Sequence, residues 1–324
     1  MKKFFALILA LLMVLTLVAC GDSAAPGSED GAKPASTLRF VTGGESGTYY
    51  AFGSVLANHV TNNAGVDVVG LVGNGSQSNV FELEDGNAEL AFCQSDVMAY
   101  AYEGTNLFAD TGAVDCFSTV AALYTEQVQI VTLNPDIKTV ADLKGKSVSI
   151  GAQGSGVYFN AIDILGVYGL TEEDINPTYQ SFGDSADALK NGQIDAAFIV
   201  AGAPTTAVVD LATTKDVYLV SLDADHVAKL LETSPYYAEC TIAKDVYNTA
   251  DDVITVGVGA VVLARNDVSE DAVYAFVKDI FENAATISHD KAKELDLSYA
   301  SSITSVPYHP GAAKYFAEKG ITVA

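Results

Sequence analysis

Basic residues are scarce in this sequence, and arginine is nearly absent. The chain has 17 Lys and Arg residues against 41 Asp and Glu residues, and only Arg39 and Arg265 are arginine. The net charge of −24 argues against nucleic-acid binding, because phosphates require a basic face, and against a polybasic membrane-surface patch. With so few guanidinium groups, the sequence favours recognition of an anion by backbone N–H groups and by Ser, Thr, Tyr and Gln side chains.

Cysteine and histidine are also rare, and their spacing does not match known metal sites. The four histidines are scattered, and neither a CxxC pair nor a His/Cys cluster occurs, so we expect no metal site and no cofactor. Three thiols follow Cys20, at Cys93, Cys116 and Cys240. One disulfide among them is possible in an oxidising compartment, but their apolar neighbours favour buried free thiols.

Catalytic motifs are missing as well. No serine stands in a GxSxG sequence, and the Gly154-Ser155-Gly156 turn has no assignable histidine and acid. His309 could act as a base, but its setting in Pro-Tyr-His-Pro-Gly is typical of a rigid surface turn. We therefore expect a protein that binds rather than an enzyme.

The N-terminus has the features of an export signal. Lys2 and Lys3 precede the apolar run from Phe4 to Val18, which is short for a membrane span. An ordinary signal peptide or a single anchor helix would fit, but the run ends in a lipoprotein box, Leu17 to Gly21. We expect residues 1–19 to be removed, Cys20 to carry acyl chains on the outer face of the cell membrane, and residues 20–36 to form a flexible tether.

The remaining sequence is long and apolar enough for about two domains. Of the 324 residues of the full chain, 49% are hydrophobic and 18% are charged, which excludes wholesale disorder. A strand pattern from Leu38 to Val41 precedes a helical pattern from Tyr49 to Val60 and a further strand from Asp67 to Val72. This alternation predicts βαβ units, in which helices cover both faces of a parallel sheet.

The second half of the sequence repeats the order of the first. The segment from Leu83 to Phe92 shares Leu, Gly, an acid, Ala and Phe with the segment from Leu189 to Phe198, 106 residues later. Two Gly/Ser turns, ending at Gly47 and Gly156, are 109 residues apart, and each precedes a helical pattern. These coincidences indicate two lobes that are built alike.

Two strands should connect the lobes. Tyr124 to Leu133 is expected to leave the first lobe, Val253 to Arg265 to return, and the C-terminal tail to pack on the first lobe. We therefore assign residues 37–125 and 254–324 to lobe 1 and residues 126–253 to lobe 2. Such an arrangement has a hinge and a cleft, and the carboxyl ends of parallel strands, where ligands bind, would face that cleft.

The two Gly/Ser turns are the main candidates for ligand binding. A helix N-terminus presents unpaired N–H groups and the positive end of the helix dipole, which suits a carboxylate or a phosphate. Gln94-Ser95 and Asn74-Gly75-Ser76 follow predicted strands and could be helix caps, ligand contacts or both. Of Tyr49 and Tyr50, we expect one to line the cleft.

Glu45 has two interpretations in an anion-binding turn. It could pair with an ammonium group of the ligand. Alternatively, it could be an acid in the first helical turn that is stabilised by the helix dipole and faces solvent. The residues alone leave both open.

Five segments span nearly all of the chain after the N-terminal signal: Thr42 to Gly53, Gly73 to Asp96, Asp142 to Gly156, Leu189 to Pro204 and Pro307 to Gly320. In this order they resemble the TAXI branch of the TRAP-transporter solute-binding proteins. This chain has Glu45 and Ser46 where that family commonly has Thr and Gly.

The resemblance implies a two-lobe α/β fold of the type II periplasmic-binding-protein kind that closes on a solute and delivers it to a membrane permease driven by an ion gradient. It also implies a small carboxylate or a glutamate-like amino acid as ligand, bound without the arginine of the other TRAP branch. A lipid-anchored sensory module is the alternative function. The predicted binding residues are Gly44, Glu45, Ser46, Gly47, Thr48, Tyr49, Ser76, Gln94, Ser95, Gly154, Ser155, Gly156, Gly202 and Pro204.

Overall fold

The computed structural model describes residues 37–324 of the chain. The predicted signal peptide, Cys20 and the tether up to residue 36 lie outside the described residues. Within residues 37–324, no helix is both long and apolar enough to cross a membrane.

Strands and helices alternate through most of the described chain. The strands are β1 Leu38–Val41, β2 Val68–Leu71, β3 Leu90–Gln94, β4 Phe117–Thr132, β5 Ser147–Ser149, β6 Asn176–Thr178, β7 Ala196–Ala201, β8 Tyr218–Leu219, β9 Ala238–Ile242 and β10 Val253–Arg265. The α-helices are α1 Thr48–Asn63, α2 Ser76–Glu84, α3 Ser95–Glu103, α4 Val157–Val167, α5 Phe182–Lys190, α6 Thr206–Ala212, α7 Ala224–Thr233, α8 Glu270–Glu282, α9 Leu297–Ala300 and α10 Pro310–Glu318. Short 3₁₀ helices span Asn106–Phe108, Val140–Leu143, Glu172–Asp174, Lys244–Val246, Ala284–Thr286 and Asp290–Glu294.

The strands form one sheet in the order β2-β1-β3-β10-β4-β7-β5-β6, with β8 beside β4 and β9 beside β10. Strands β1, β2 and β3 are parallel, as are β5, β6 and β7. Between the two parallel groups, β10 runs antiparallel to β3 and β4 runs antiparallel to β7. The sequence β1-α1-β2-α2-β3 is therefore matched by β5-α4-β6-α5-β7.

The repeat seen in the sequence corresponds to this structural repeat. Gly47 and Gly156 precede α1 and α4 directly. Gly86 and Gly192, with φ of 72° and 69°, follow α2 and α5 and lead into β3 and β7. A left-handed residue after a helix strongly favours glycine because it has no Cβ, which explains the shared Leu-x-x-Gly pattern.

The buried side chains separate into cores that divide the described chain. Two cores are built from residues 38–124 and 260–316, and Phe159 joins one of them. Two further cores are built from residues 128–258. Among the strands of residues 37–324, only β4 and β10 contribute to both groups, so these long strands connect them within the sheet.

Several local expectations need correction. The strand predicted from Tyr124 begins at Phe117. Helix α8 begins at Glu270, where the Ser269 hydroxyl accepts a hydrogen bond from the N–H group of Ala272 at 3.2 Å. Cys93, Cys116 and Cys240 are unpaired among the described residues, but only Cys93 is buried.

His309 is not in a surface turn, as its proline-rich setting suggested. Its side chain is 2% exposed, and it caps α10 because Nδ1 accepts a hydrogen bond from the N–H group of Gly311. Nε2 lies 3.1 Å from the carbonyl oxygen of Val268, and burial lowers the pKa of the imidazole. The tail itself packs on α8 and β4, as expected.

Candidate functional site

A cavity of about 340 Å³ lies where the two parallel strand groups face each other, within the size range of small-molecule sites. It is lined by segments that follow β1, β2, β5 and β6, together with parts of β3, β4 and β7. Its lining residues are Gly43, Gly44, Glu45, Ser46, Gly47, Thr48, Tyr49, Gly73, Asn74, Gly75, Ser76, Gln94, Glu126, Ala152, Ser155, Gly156, Val157, Gln180, Ser181, Phe182, Gly183, Asp184, Asp187, Val200 and Ala201.

Four helices begin at this cavity. Gly47, Gly75, Gly156 and Ser181 immediately precede α1, α2, α4 and α5, and all four residues line it. The first-turn N–H groups of a helix have no partner within the helix, and the dipole makes this end positive. Four such ends around one space favour a negatively charged group of a ligand.

Hydrogen bonds link the two halves of the structure around the cavity. The N–H group of Ser78 donates to the carbonyl oxygen of Gly154 at 2.9 Å. Thr48 Oγ1 donates to the carbonyl oxygen of Gly202 at 2.8 Å. The N–H group of Ala207 donates to the carbonyl oxygen of Ser46 at 3.1 Å. The structure therefore has the two halves in contact, with the cavity enclosed between them.

The second Gly/Ser turn fits against the first half too closely for a side chain at Gly156. A Cβ atom there would lie 1.5 Å from Gln94 Oε1. Ser155 is 6% exposed, and its Oγ has no hydrogen-bond partner within the described part of the chain although it is buried at the cavity wall. Burying a hydroxyl group without a partner costs free energy, so a ligand atom that satisfied Ser155 would be stabilised there.

Glu126 is the most buried charged side chain of the cavity. It lies on β4, is 2% exposed, and its Oε2 accepts a hydrogen bond from the Tyr49 hydroxyl at 2.7 Å. Tyr49 is in turn stacked on Phe92, with ring centroids 4.5 Å apart. Burial raises the pKa of the Glu126 carboxyl well above its usual value, although the Tyr49 hydrogen bond opposes the shift.

The cavity carries carboxylates but no basic side chain. Besides Glu126, its lining includes the exposed Glu45, Asp184 and Asp187, and within residues 37–324 it includes no Lys, Arg or His. The two arginines are engaged elsewhere: Arg39 Nη2 lies 2.6 Å from Glu89 Oε1, and Arg265 Nε lies 2.5 Å from Asp267 Oδ1. Any positive potential at the site therefore comes from backbone N–H groups.

A buried polar network extends from Gln94 away from the cavity. Gln94 Nε2 donates to Asn160 Oδ1 at 2.6 Å, and Asn160 Nδ2 donates to Asp96 Oδ2 at 2.9 Å and to the Tyr237 hydroxyl oxygen at 2.8 Å. The Tyr237 hydroxyl donates to Asp163 Oδ2 at 2.9 Å. Burial raises the pKa of Asp96 to about 7, and the nearby Asp163 carboxyl adds to the increase.

Ten of the fourteen predicted binding residues line the cavity, and four do not. Ser95 Oγ instead accepts a hydrogen bond from the N–H group of Gly259 at 2.8 Å. Gly154 and Gly202 present their carbonyl oxygens to the opposite half of the structure, and Pro204 is exposed. Of the two tyrosines, Tyr49 lines the cavity and Tyr50 does not.

A family model described as the NMT1-like family matches residues 40–320, which is most of the chain. The chain belongs to the NMT1-like family.

Two solved structures share the fold of this NMT1-like chain. A protein of Bordetella bronchiseptica RB50 is 18% identical, with a TM-score of 0.54 over 81% of this chain and 76% of that one. PhnD1 from Prochlorococcus marinus MIT 9301, in complex with methylphosphonate, is 11% identical, with a TM-score of 0.50 over 79% of this chain and 87% of that one. The predicted fold class is confirmed: the chain has the α/β fold of type II periplasmic binding proteins.

Two features of the NMT1-like site were missed by sequence reasoning. The turn before α5 supplies Gln180 to Gly183, and it has a recognisable signal, because Ser181 follows a strand and its Oγ accepts a hydrogen bond from the N–H group of Asp184. Glu126 also had a signal, since it is the one acid within the strand pattern from Tyr124 to Leu133. An acid inside a buried strand needs a partner or a function.

Proposed function

We propose that the chain is an extracytoplasmic solute-binding receptor that captures a small carboxylate or amino acid and delivers it to a TRAP-type permease of the TAXI branch. The observation that carries this proposal is the cavity at which α1, α2, α4 and α5 all begin. Four helix N-termini can hold an anionic group without any arginine. The absence of a predicted nucleophile, base and acid favours binding over catalysis.

Capture would occur by hinge closure between the two lobes predicted from the sequence. The separate cores support this mechanism, because β4 and β10 are the only strands that contribute to both groups among the described residues. Bending these strands would part the Ser78–Gly154 and Thr48–Gly202 hydrogen bonds and open the cavity to solvent. The described conformation then corresponds to a closed state.

The choice of transport partner rests on the sequence motifs that resemble TAXI proteins. The five segments that resemble TAXI proteins run from Thr42 to Gly320, and the family match covers nearly the same residues. PhnD1, which shares the fold, holds the small anion methylphosphonate. Attachment to the cell membrane through Cys20 would keep the receptor close to its permease.

The test is a thermal-shift screen of the full-length protein against amino acids and small carboxylates, followed by solution scattering with the best ligand. A ligand at 100 times its dissociation constant should stabilise the fold by about 2.7 kcal/mol. Its binding should also reduce the radius of gyration, because the lobes close. A rise in melting temperature without compaction would contradict the hinge mechanism, and no stabilisation by any compound would contradict the receptor function.

A further inference from the structure

We propose that the solute carries an ammonium group or a similar cation, seated against Glu126, and at most one carboxylate. This inference rests on the proposed receptor function and narrows its ligand class. It makes Glu126 the residue that distinguishes amino acids from the corresponding hydroxy and oxo acids, and it makes a dicarboxylate such as glutamate a poor ligand.

The first step is the state of the Glu126 carboxyl group. Only its Oε2 is satisfied, by the Tyr49 hydroxyl, and no hydrogen bond within the described residues reaches its Oε1. Because Glu126 is 2% exposed and lines the cavity, this oxygen is free to accept a hydrogen bond from a group in the cavity. An ammonium group has three donors and the opposite charge, which makes it the matching partner.

The second step is the surroundings of Glu126. Lys291 is the one nearby basic group in the described chain, but its Nζ already lies 2.6 Å from Glu294 Oε1, and Lys291 does not line the cavity. No basic side chain of the lining therefore neutralises the carboxylate. The titratable and charged groups that surround it are Tyr49, Cys93, Asp96, Tyr124, Lys291 and Tyr299.

The third step concerns the anionic end of the solute. One carboxylate can be held by the helix N-termini and by Ser155, whose buried Oγ has no partner among residues 37–324. A second carboxylate would meet Glu45, Asp184 and Asp187 with no lysine, arginine or histidine in the lining. Like charges repel, so these walls disfavour a dicarboxylate.

Ligand binding should also release a proton. Burial favours the neutral form of the Glu126 carboxyl in the free protein. An ammonium group at Oε1 favours the carboxylate, so the carboxyl O–H bond breaks and the proton passes to solvent while the ammonium keeps its own protons. The number of protons released per ligand molecule bound can be measured directly.

The first experiment is a thermal-shift comparison of the full-length protein with matched compounds. The amino acids are L-alanine, L-leucine, L-glutamine and L-ornithine, each beside its 2-oxo or 2-hydroxy analogue, and the dicarboxylates are L-glutamate, 2-oxoglutarate and succinate. We expect one or more of the four amino acids to raise the melting temperature, and the analogue without the amino group to have little effect. If a dicarboxylate or an acid without an amino group gave the largest rise in melting temperature, the inference would be overturned and the receptor function would stand. No shift with any compound would count against both.

The second experiment measures affinity and proton release by calorimetry in two buffers of different ionisation enthalpy at pH 7. Glu126→Gln keeps an acceptor for Tyr49 but removes the charge, so affinity for the best amino acid should fall about tenfold or more. Glu232→Gln is the matched control, because Glu232 is exposed and does not line the cavity, and it should change affinity less than threefold. Proton release should disappear in Glu126→Gln. Unchanged affinity or unchanged proton release in that variant would refute the role of Glu126.

Discussion

Asp96 should make the stability of this protein fall as pH rises through the neutral range. Its side chain is fully buried, Oδ2 accepts a hydrogen bond from Asn160, and Oδ1 has no partner in the described chain. Its pKa is raised from 3.8 to about 7, mainly by burial. Since the folded state holds this proton more tightly than the unfolded state, the contribution of Asp96 to stability is greatest below pH 4 and is lost as the pH rises to about 7.

The magnitude follows from the pKa difference. One pKa unit corresponds to about 1.4 kcal/mol, so a shift of about three units lowers the free energy of unfolding by ~4 kcal/mol between pH 4 and pH 8. Asp96→Asn removes the ionisation while its amide oxygen can still accept the hydrogen bond from Asn160. The unpartnered position at Oδ1 receives a polar hydrogen in the variant and in the protonated wild type alike, so its cost cancels at low pH.

Urea unfolding at several pH values between 4 and 8 measures this effect. The free energies of wild type and Asp96→Asn should be similar near pH 4 and should diverge by ~4 kcal/mol in favour of the variant at pH 8. Asp110→Asn, a substitution at an exposed acid, is the control and should follow the wild type. Parallel curves for wild type and Asp96→Asn would refute the argument, because Asp96 would then ionise equally in both states.

Three further predictions concern other parts of the chain. Gly156→Val should reduce affinity for the best ligand more than Ser155→Ala, because a Cβ at Gly156 collides with Gln94, whereas loss of one hydroxyl costs ~0.5–1.5 kcal/mol. The opposite order in titrations of two folded variants would contradict the hypothesis that the backbone of this turn holds the anionic group of the ligand. Gly311→Ala should lower the free energy of unfolding by about 1–3 kcal/mol in urea, since its Cβ would lie 2.2 Å from the carbonyl oxygen of Glu270; unchanged stability would show that α10 can shift freely on α8. Cys20→Ser should move the protein from the membrane fraction to the soluble fraction, and an unchanged distribution in fractionated cells would exclude the lipid anchor.

The sequence predicted best where local pattern decides structure. Gly47 and Gly156 directly precede predicted helices, and both are at helix N-termini in the structure. The strand from Val253 to Arg265 has the predicted bounds, because its β-branched and apolar run ends at a charged residue. Hydrophobic periodicity and turn residues are local properties of the sequence, and they were sufficient to predict the order of strands and helices.

Sequence reasoning was weaker where distant segments meet. Ser95 follows the lining residue Gln94 in sequence, yet its hydroxyl accepts a hydrogen bond from Gly259, which is 164 residues away on β10. His309 looked exposed because prolines flank it, but α8 and the preceding loop cover it. Glu126 was passed over because a single acid within a strand cannot be assigned to a cavity until the facing helix is known.

The division of the cores also bears on the order in which the chain can fold. The residues that build the second pair of cores all lie between 128 and 258, so these cores need no residue from elsewhere in the described chain. The first pair of cores needs residues 38–124 together with 260–316, and the carbonyl oxygen of Ala324 accepts a hydrogen bond from the N–H group of Tyr308. Contacts between such distant segments form slowly because a long loop must close first. The first pair of cores therefore cannot be completed until residues 260–316 have been added to the chain.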